Sequence, residues 1–183
     1  MKTLLNTLPQ VGWVEWIGVR PERDRPMVEV EQASVSREAG LDGDRYAGKP
    51  GSKRQVTLIQ YEHLAVIAGC LGREDRTGLD LPGLLRRNIV VSGINLLALK
   101  GKTFRIGSSG GASGGNSGSG GGAVLRWTGL CHPCSKMEAA LGPGGYNAVR
   151  GHGGITATVE SAGDFAVGDA VRLESVVDES GRD

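Results

Sequence analysis

Neither sign of charge is in excess: 21 basic side chains against 20 acidic ones leave a formal +1. That balance excludes the broad electrostatic footprint with which a domain binds nucleic acid or an anionic membrane, and leaves any anion binding to local basic clusters. No apolar run approaches the roughly 20 residues of a membrane span, and the opening Met1-Lys-Thr-Leu-Leu5 lacks the apolar core of a signal peptide. A cytoplasmic location is therefore expected, with the three cysteines reduced. A second closely spaced cysteine pair beside Cys131 and Cys134 is also missing, so a four-ligand structural zinc site starts with half of its usual donors. With 183 residues, 39% of them hydrophobic, the chain is long enough for one domain over 1–183 and too short for two comfortable ones.

What is present reads mostly as strand. Val11–Val19 and Met27–Val35 are rich in β-formers and carry apolar residues largely on alternate positions. They are expected to pair as a hairpin across the charged turn Pro21–Pro26. Gln55–Ile59, Ile89–Ile94, Lys102–Ile106, Ala123–Trp127, Ile155–Val159 and Ala170–Leu173 read as further strands, and Phe165–Asp169 as a turn feeding the last of them. Over Tyr61–Leu71 the spacing of Leu64, Ile67, Ala68 and Leu71 predicts a helix, with Cys70 beside the apolar face and assigned to the core. Gly40–Tyr46, in which glycines alternate with charges, reads as a loop that Asp44 and Arg45 pin or turn toward a ligand. Lys49–Arg54 extends it with positive charge, as the rim of a pocket.

Sequence complexity vanishes between Gly107 and Gly122, where only Gly, Ser, one Ala and one Asn occur. Such a stretch can bury nothing to offset its ordering entropy and behaves as a tether of about 20–24 Å root-mean-square length. Its abrupt departure from the flanking composition reads as an engineered linker over 108–122, with a native glycine-rich loop as the alternative. Without it, the strands on either side would meet across a tight turn.

Reactive chemistry concentrates in Cys131-His-Pro-Cys134. Thiolate is both a nucleophile and a soft metal ligand, and a nearby cation, here His132 or Lys136, favours it. Pro133 suits a helix's first turn, so 134–141 reads as a short helix with Cys134 near its positive end, which favours a thiolate at Cys134 over Cys131. Three plainer readings compete. The pair is half of a zinc site completed from Cys70, His63, His132 and His152, or a thioredoxin-like dithiol, or two inert buried thiols. His152 is an acid or base, or merely holds its glycine-rich loop. Arg86, Arg87 and Asn88 stand at the start of a strand, a position suited to bidentate recognition of a phosphate or oxyanion, or to ion pairing with the acidic loop before them.

Taken together, Gly40-Leu-Asp-Gly-Asp-Arg45, Arg86-Arg-Asn-Ile-Val-Val91, Leu97–Gly107, the Cys134 segment and Phe165–Leu173 resemble a MOSC domain, the family named for the C-terminal domain of molybdenum cofactor sulfurase. The resemblance runs from about Trp13 to Leu173, apart from the linker. It implies a mainly β fold with a few helices (α+β), built around a partly closed β-barrel, that binds molybdenum cofactor or sulfur through a cysteine. Cys134 is the position that matches this cysteine, as metal ligand and catalytic thiol, with Cys131 as alternative ligand or helper. Arg45, Arg86, Arg87 and Asn88 are the candidates for the phosphate of the pterin cofactor, with Lys53 and Arg54 behind them, and His152 or His132 would relay protons. The implied activity is oxygen-atom transfer that reduces a small N-hydroxylated substrate. Nothing in the sequence resembles a flavin, haem or iron–sulfur domain, so a separate electron-donor protein would be needed. The alternative class is a non-catalytic sulfur carrier with persulfide on Cys134, and behind it a zinc-stabilised β-domain.

Overall fold

The computed structural model describes residues 2–45, 52–107 and 122–174. In chain order the elements are α1 (Lys2–Asn6), β1 (Gly12–Val19), β2 (Val28–Glu29), β3 (Gln32–Ser36), β4 (Gly40–Leu41), β5 (Val56–Gln60), α2 (Tyr61–Cys70), α3 (Leu81–Leu84), β6 (Ile89–Ser92), a 3-10 turn (Leu96–Leu99), β7 (Thr103–Ile106), β8 (Ala123–Leu130), α4 (Ser135–Leu141), α5 (Gly145–Val149), β9 (Ile155–Ser161), β10 (Gly163–Ala166) and β11 (Ala170–Leu173). The strand on which everything closes is β1. It pairs with β6 on one side and, through Gly12 and Trp13, with β11 on the other. The order β11-β7-β8-β9-β5-β6-β1 thereby becomes a closed seven-stranded ring, which leaves those strands no free edges. No helix among the described residues is long and apolar enough to cross a membrane.

Within the ring, β5 and β6 are parallel, which demands a crossover, and α2 and α3 supply it. Both strands are buried on two faces. Leu58, Ile89 and Val91 point into the barrel with Ile17, Phe104, Leu125, Ile155 and Val171. Ile59 and Val90 point outward, against Leu64, Ile67, Ala68, Leu81, Leu85, Met137 and Val149 of the helical layer. This is the physical reason for the unbroken apolar run Ile89-Val-Val91: a strand covered on both faces cannot alternate. Helices α4 and α5 are tied together by Glu138, whose carboxylate accepts from the amides of Gly144 (2.8 Å) and Tyr146 (2.6 Å). Those two N–H groups hold Glu138 below its ordinary value of 4.5.

Three sequence expectations change. The strand expected over Met27–Val35 is two: β2 pairs with the end of β1 as the hairpin predicts, and β3 leaves for a separate small sheet in the order β10-β3-β4. Alternation says that a segment is extended, not which partner it takes. Phe165, expected in a turn, lies in β10 opposite Ala33, and both Phe165 and Val35 drop into the barrel core from that sheet. Cys70, assigned to the core, is exposed. The buried stripe of α2 runs through Leu64, Ile67 and Ala68 to Leu71, and the helix ends on Cys70 at its edge.

The linker expected over 108–122 falls, but for Gly122, outside the described residues. Its two ends are side by side: β7 and β8 pair antiparallel down to Ile106 opposite Ala123, and a Cβ on Gly122 would lie 3.0 Å from the Cα of Gly107. A two-residue turn can therefore replace residues 108–121. Shortening the loop in this way should raise stability by about 1–2 kcal/mol through loop-closure entropy, with the near-ultraviolet circular dichroism unchanged, as read by urea unfolding.

Candidate functional site

The site begins where α3 ends. The amide of Arg87 donates to Pro82 O (3.0 Å) and that of Arg86 to Gly83 O (3.2 Å), the paired bonds of a Schellman terminus. That motif requires a left-handed residue, ordinarily glycine, and here Arg86 takes it at φ 57°. The reversal turns Arg87 inward and starts β6 at the next step. The outer guanidinium nitrogen of Arg86, Nη2, is buried without a partner among the described residues, and Nη1 stands 4.0 Å from Asp24 Oδ1. The same Asp24 oxygen is 3.7 Å from Lys136 Nζ, so Asp24 stands between the Arg86 guanidinium and the ammonium of a residue in α4.

Arg87 is 5% exposed and fans across three segments. Its Nε donates to Gly153 O (2.6 Å), Nη1 to Leu85 O (2.6 Å) and Nη2 to Cys131 O (3.5 Å). Burial lowers its pKa below the ordinary guanidinium value, and the thiols of Cys131 and Cys134 oppose that shift. Both sulfurs thus lie within electrostatic reach of one cation. The loop that carries them is fastened by the Cys131 amide, which donates to Gly154 O at 2.9 Å. Only glycines fit opposite: a Cβ on Gly153 would lie 2.3 Å from Cys131 O, and one on Gly154 would lie 2.0 Å from Leu58 O. Cys131 is half-buried, Cys134 is exposed, and Cys134 precedes α4 as its cap residue in an extended conformation.

Asn88 is almost fully buried and spends every polar atom. Its Oδ1 accepts from Thr57 N and Oγ1, while Nδ2 donates to Gly18 O and Asp44 Oδ2 (2.8 Å). Asp44 also takes a fork from Arg20, with Nε at 2.9 Å and Nη2 at 2.8 Å. The loop before β5 is thereby bolted to the end of β1 and the start of β6.

The sequence profile of the MOSC domain matches residues 44–172, from this aspartate to the penultimate residue of β11. The chain belongs to the MOSC domain family. It is similar in fold to the YuaD protein of Bacillus subtilis, with 20% identity over 91% of this chain and 98% of that one and a TM-score of 0.71. It also resembles YiiM from Escherichia coli, with 16% identity over 90% of this chain and 71% of that one and a TM-score of 0.61. YiiM from Geobacillus stearothermophilus gives 16%, 89%, 75% and 0.60 for the same measures. No curated protein matches the chain. As a MOSC domain it departs from the matched stretch in one useful way: Arg20 and β1, which close the barrel and anchor Asp44, lie before it.

Of the MOSC residues expected from sequence, Arg87 meets Cys131 through the Cys131 carbonyl, Asn88 next to it is bonded to Asp44, Cys134 is exposed three positions beyond Cys131, Arg86 precedes Arg87 in the turn, and Arg45 is exposed next to Asp44 in sequence. Lys53 and Arg54 are exposed, and Tyr46 to Gly51 lie outside the described residues. Arg87 and Asn88 spend their donors largely on protein atoms, so they shape the site from behind. His132 is exposed, whereas His152 packs its ring edge-to-face on His63 of α2, centroids 5.0 Å apart. The Nδ1 atoms of both rings are buried without partners. Arg20 was invisible as a site neighbour because its partner lies 24 positions along the chain, and His63, named from sequence only as a zinc-ligand candidate, instead packs on His152, 89 positions away. Among the described residues no three His, Cys, Asp or Glu side chains converge on a metal position. A cavity of about 620 Å³ between α1 and the 3-10 turn is lined by Leu4, Leu8, Leu97 and Lys100 among others, and by none of the site residues.

Two outcomes follow. Asp44→Ala leaves the Arg20 guanidinium and the Asn88 amide without their acceptor and should cost on the order of 3 kcal/mol in urea unfolding. His63 is held below its ordinary value of 6.5, first by burial and then by His152. The unfolded chain then binds that proton more readily. Its contribution is full above pH 6.5 and is lost as the pH falls through the depressed folded value. Unfolding titrations on either side of pH 6.5 should show this loss in the parent and a flatter profile in His63→Asn. The loss from Glu138 falls in a separate window below its ordinary 4.5.

Proposed function

We propose that this chain binds molybdenum cofactor at the Cys134 end of the barrel and reduces small N-hydroxylated compounds, with electrons from a separate protein. One observation carries the reading. Arg86 holds a backbone conformation that costs an ordinary L-residue roughly 1–2 kcal/mol, and its buried Nη2 has no partner among the described residues. Strain of this kind is kept where a side chain is needed, and a desolvated guanidinium nitrogen beside a thiol loop needs an anion. The pterin phosphate is that anion. The donor set fits the rest of the group: Cys134 offers an exposed soft sulfur, which suits a metal already bound by sulfur.

When bound, the molybdenum centre supplies two-electron oxygen-atom chemistry. The protein's part is to hold and to orient. Arg86 grips the phosphate, with Arg45 at the rim. Arg87 and Asn88 keep the loops from shifting, the former through the Cys131 and Gly153 carbonyls. His152, with an unpartnered Nδ1 in a buried setting, holds a proton that cleavage of the N–O bond consumes. Cys131 is half-buried beneath Cys134 in exposure and serves as helper rather than ligand.

Protein produced in cells that make molybdenum cofactor should carry near-stoichiometric molybdenum and releasable pterin, lost in Cys134→Ala and kept in Cys131→Ala. Arg86→Gly should relieve the strained φ and raise stability by about 1 kcal/mol while lowering cofactor retention. Absence of metal and pterin from the parent would sink the reductase and favour a persulfide carrier on Cys134. Zinc in their place would overturn both.

A further inference from the structure

The cofactor reading uses Cys134 as ligand and gives Cys131 only a helper's part, with no chemistry of its own. We infer that Cys131 and Cys134 form a reversible intramolecular disulfide through exchange with an external disulfide such as glutathione disulfide, Cys134 attacking first and Cys131 resolving. Four observations converge on this. The segment from Cys131 to Cys134 contains no helix or strand and α4 begins only at Ser135, so the two side chains are not fixed by a regular element, while the Cys134 carbonyl accepts from the amide of Met137 (2.8 Å) at the start of α4. Exposure is graded as a two-step exchange needs: Cys134 is open to a reagent and Cys131 is half-buried behind it, fastened by its amide to Gly154 O. Both sulfurs act on the same buried guanidinium, that of Arg87, whose Nη2 also meets Cys131 O, so they share one neighbourhood. The side chain of Cys134 makes no capping hydrogen bond to the helix it precedes, so its sulfur is not engaged there.

The exchange balances. Cys134 thiolate attacks one sulfur of glutathione disulfide, its S–S bond breaks, and one glutathione leaves and takes up a proton. Cys131 thiolate then attacks the Cys134 sulfur, and the second glutathione leaves and is protonated in turn. Two electrons and two thiol protons pass from the protein to two glutathione molecules. In the disulfide Cys134 offers no thiolate, so the pair's redox state decides whether the sulfur can take a metal; that consequence rests on the function proposed above, and the exchange itself does not.

The test uses the metal-free chain on a Cys70→Ser background, which removes the exposed third thiol. After incubation with glutathione disulfide, intact mass should fall by two hydrogen atoms with no glutathione retained, both thiols should become unreactive to alkylation, and dithiothreitol should restore them. With Cys131→Ser added, a stable glutathione adduct should accumulate on Cys134. With Cys134→Ser added, modification of Cys131 should be at least about tenfold slower, as its burial requires. A stable adduct on Cys134 while Cys131 is present, or two alkylatable thiols after treatment, would overturn the proposal. Because no metal enters the assay, these outcomes are independent of whether the chain binds molybdenum.

Discussion

A guanidinium taken out of water has to be surrounded by acceptors, and the buried charge of Arg87 imposes that requirement on three separate segments. The acceptors are main-chain carbonyls: Leu85 from its own turn, Gly153 from the loop before β9, and Cys131 from the end of β8. A carbonyl cannot approach a buried cation without bringing its backbone along. The loops of the site therefore have little freedom, and the glycines opposite are a consequence: 153 and 154 have room for backbone only.

Around this centre the barrel provides rigidity at its closing seam. Because β1 joins β6 to β11, the end of β1 is fixed against the start of β6, and Asn88 and Asp44 can bridge them with charge-assisted hydrogen bonds. The network is fully satisfied and almost wholly buried, conditions under which polar groups specify one arrangement rather than weaken it. Functional loops that emerge from such a scaffold need not carry their own stability.

Against that background Arg86 stands apart. Its neighbours obey local rules: the Schellman bonds form, Arg87 and Asn88 find acceptors, and β6 continues as an apolar run. Arg86 alone takes the glycine position of the turn and carries a buried donor without a partner. Arg86 combines the two departures, a left-handed non-glycine backbone and a buried donor without a partner among the described residues, and that combination is the pattern expected of a binding position.

Much of this was legible in the chain. Periodicity and β-propensity located most strands of the barrel and helix α2, the unbroken Ile89–Val91 run marked a doubly covered strand, and the Cys131-His-Pro-Cys134 and Arg86-Arg-Asn88 clusters named the ends of the elements that meet at the site. These are local properties, determined by the steric and hydrophobic preferences of neighbouring residues. Partnership was not local. Alternation could not tell that Val28 pairs within the hairpin while Val35 and Phe165 belong to a second sheet, because the period of a strand is the same whatever lies beside it. Nor could residue type distinguish Arg86 from Arg87. One guanidinium came to lack a partner and the other to be enclosed by carbonyls only when a left-handed turn pointed them in different directions and strands distant in sequence closed around the second.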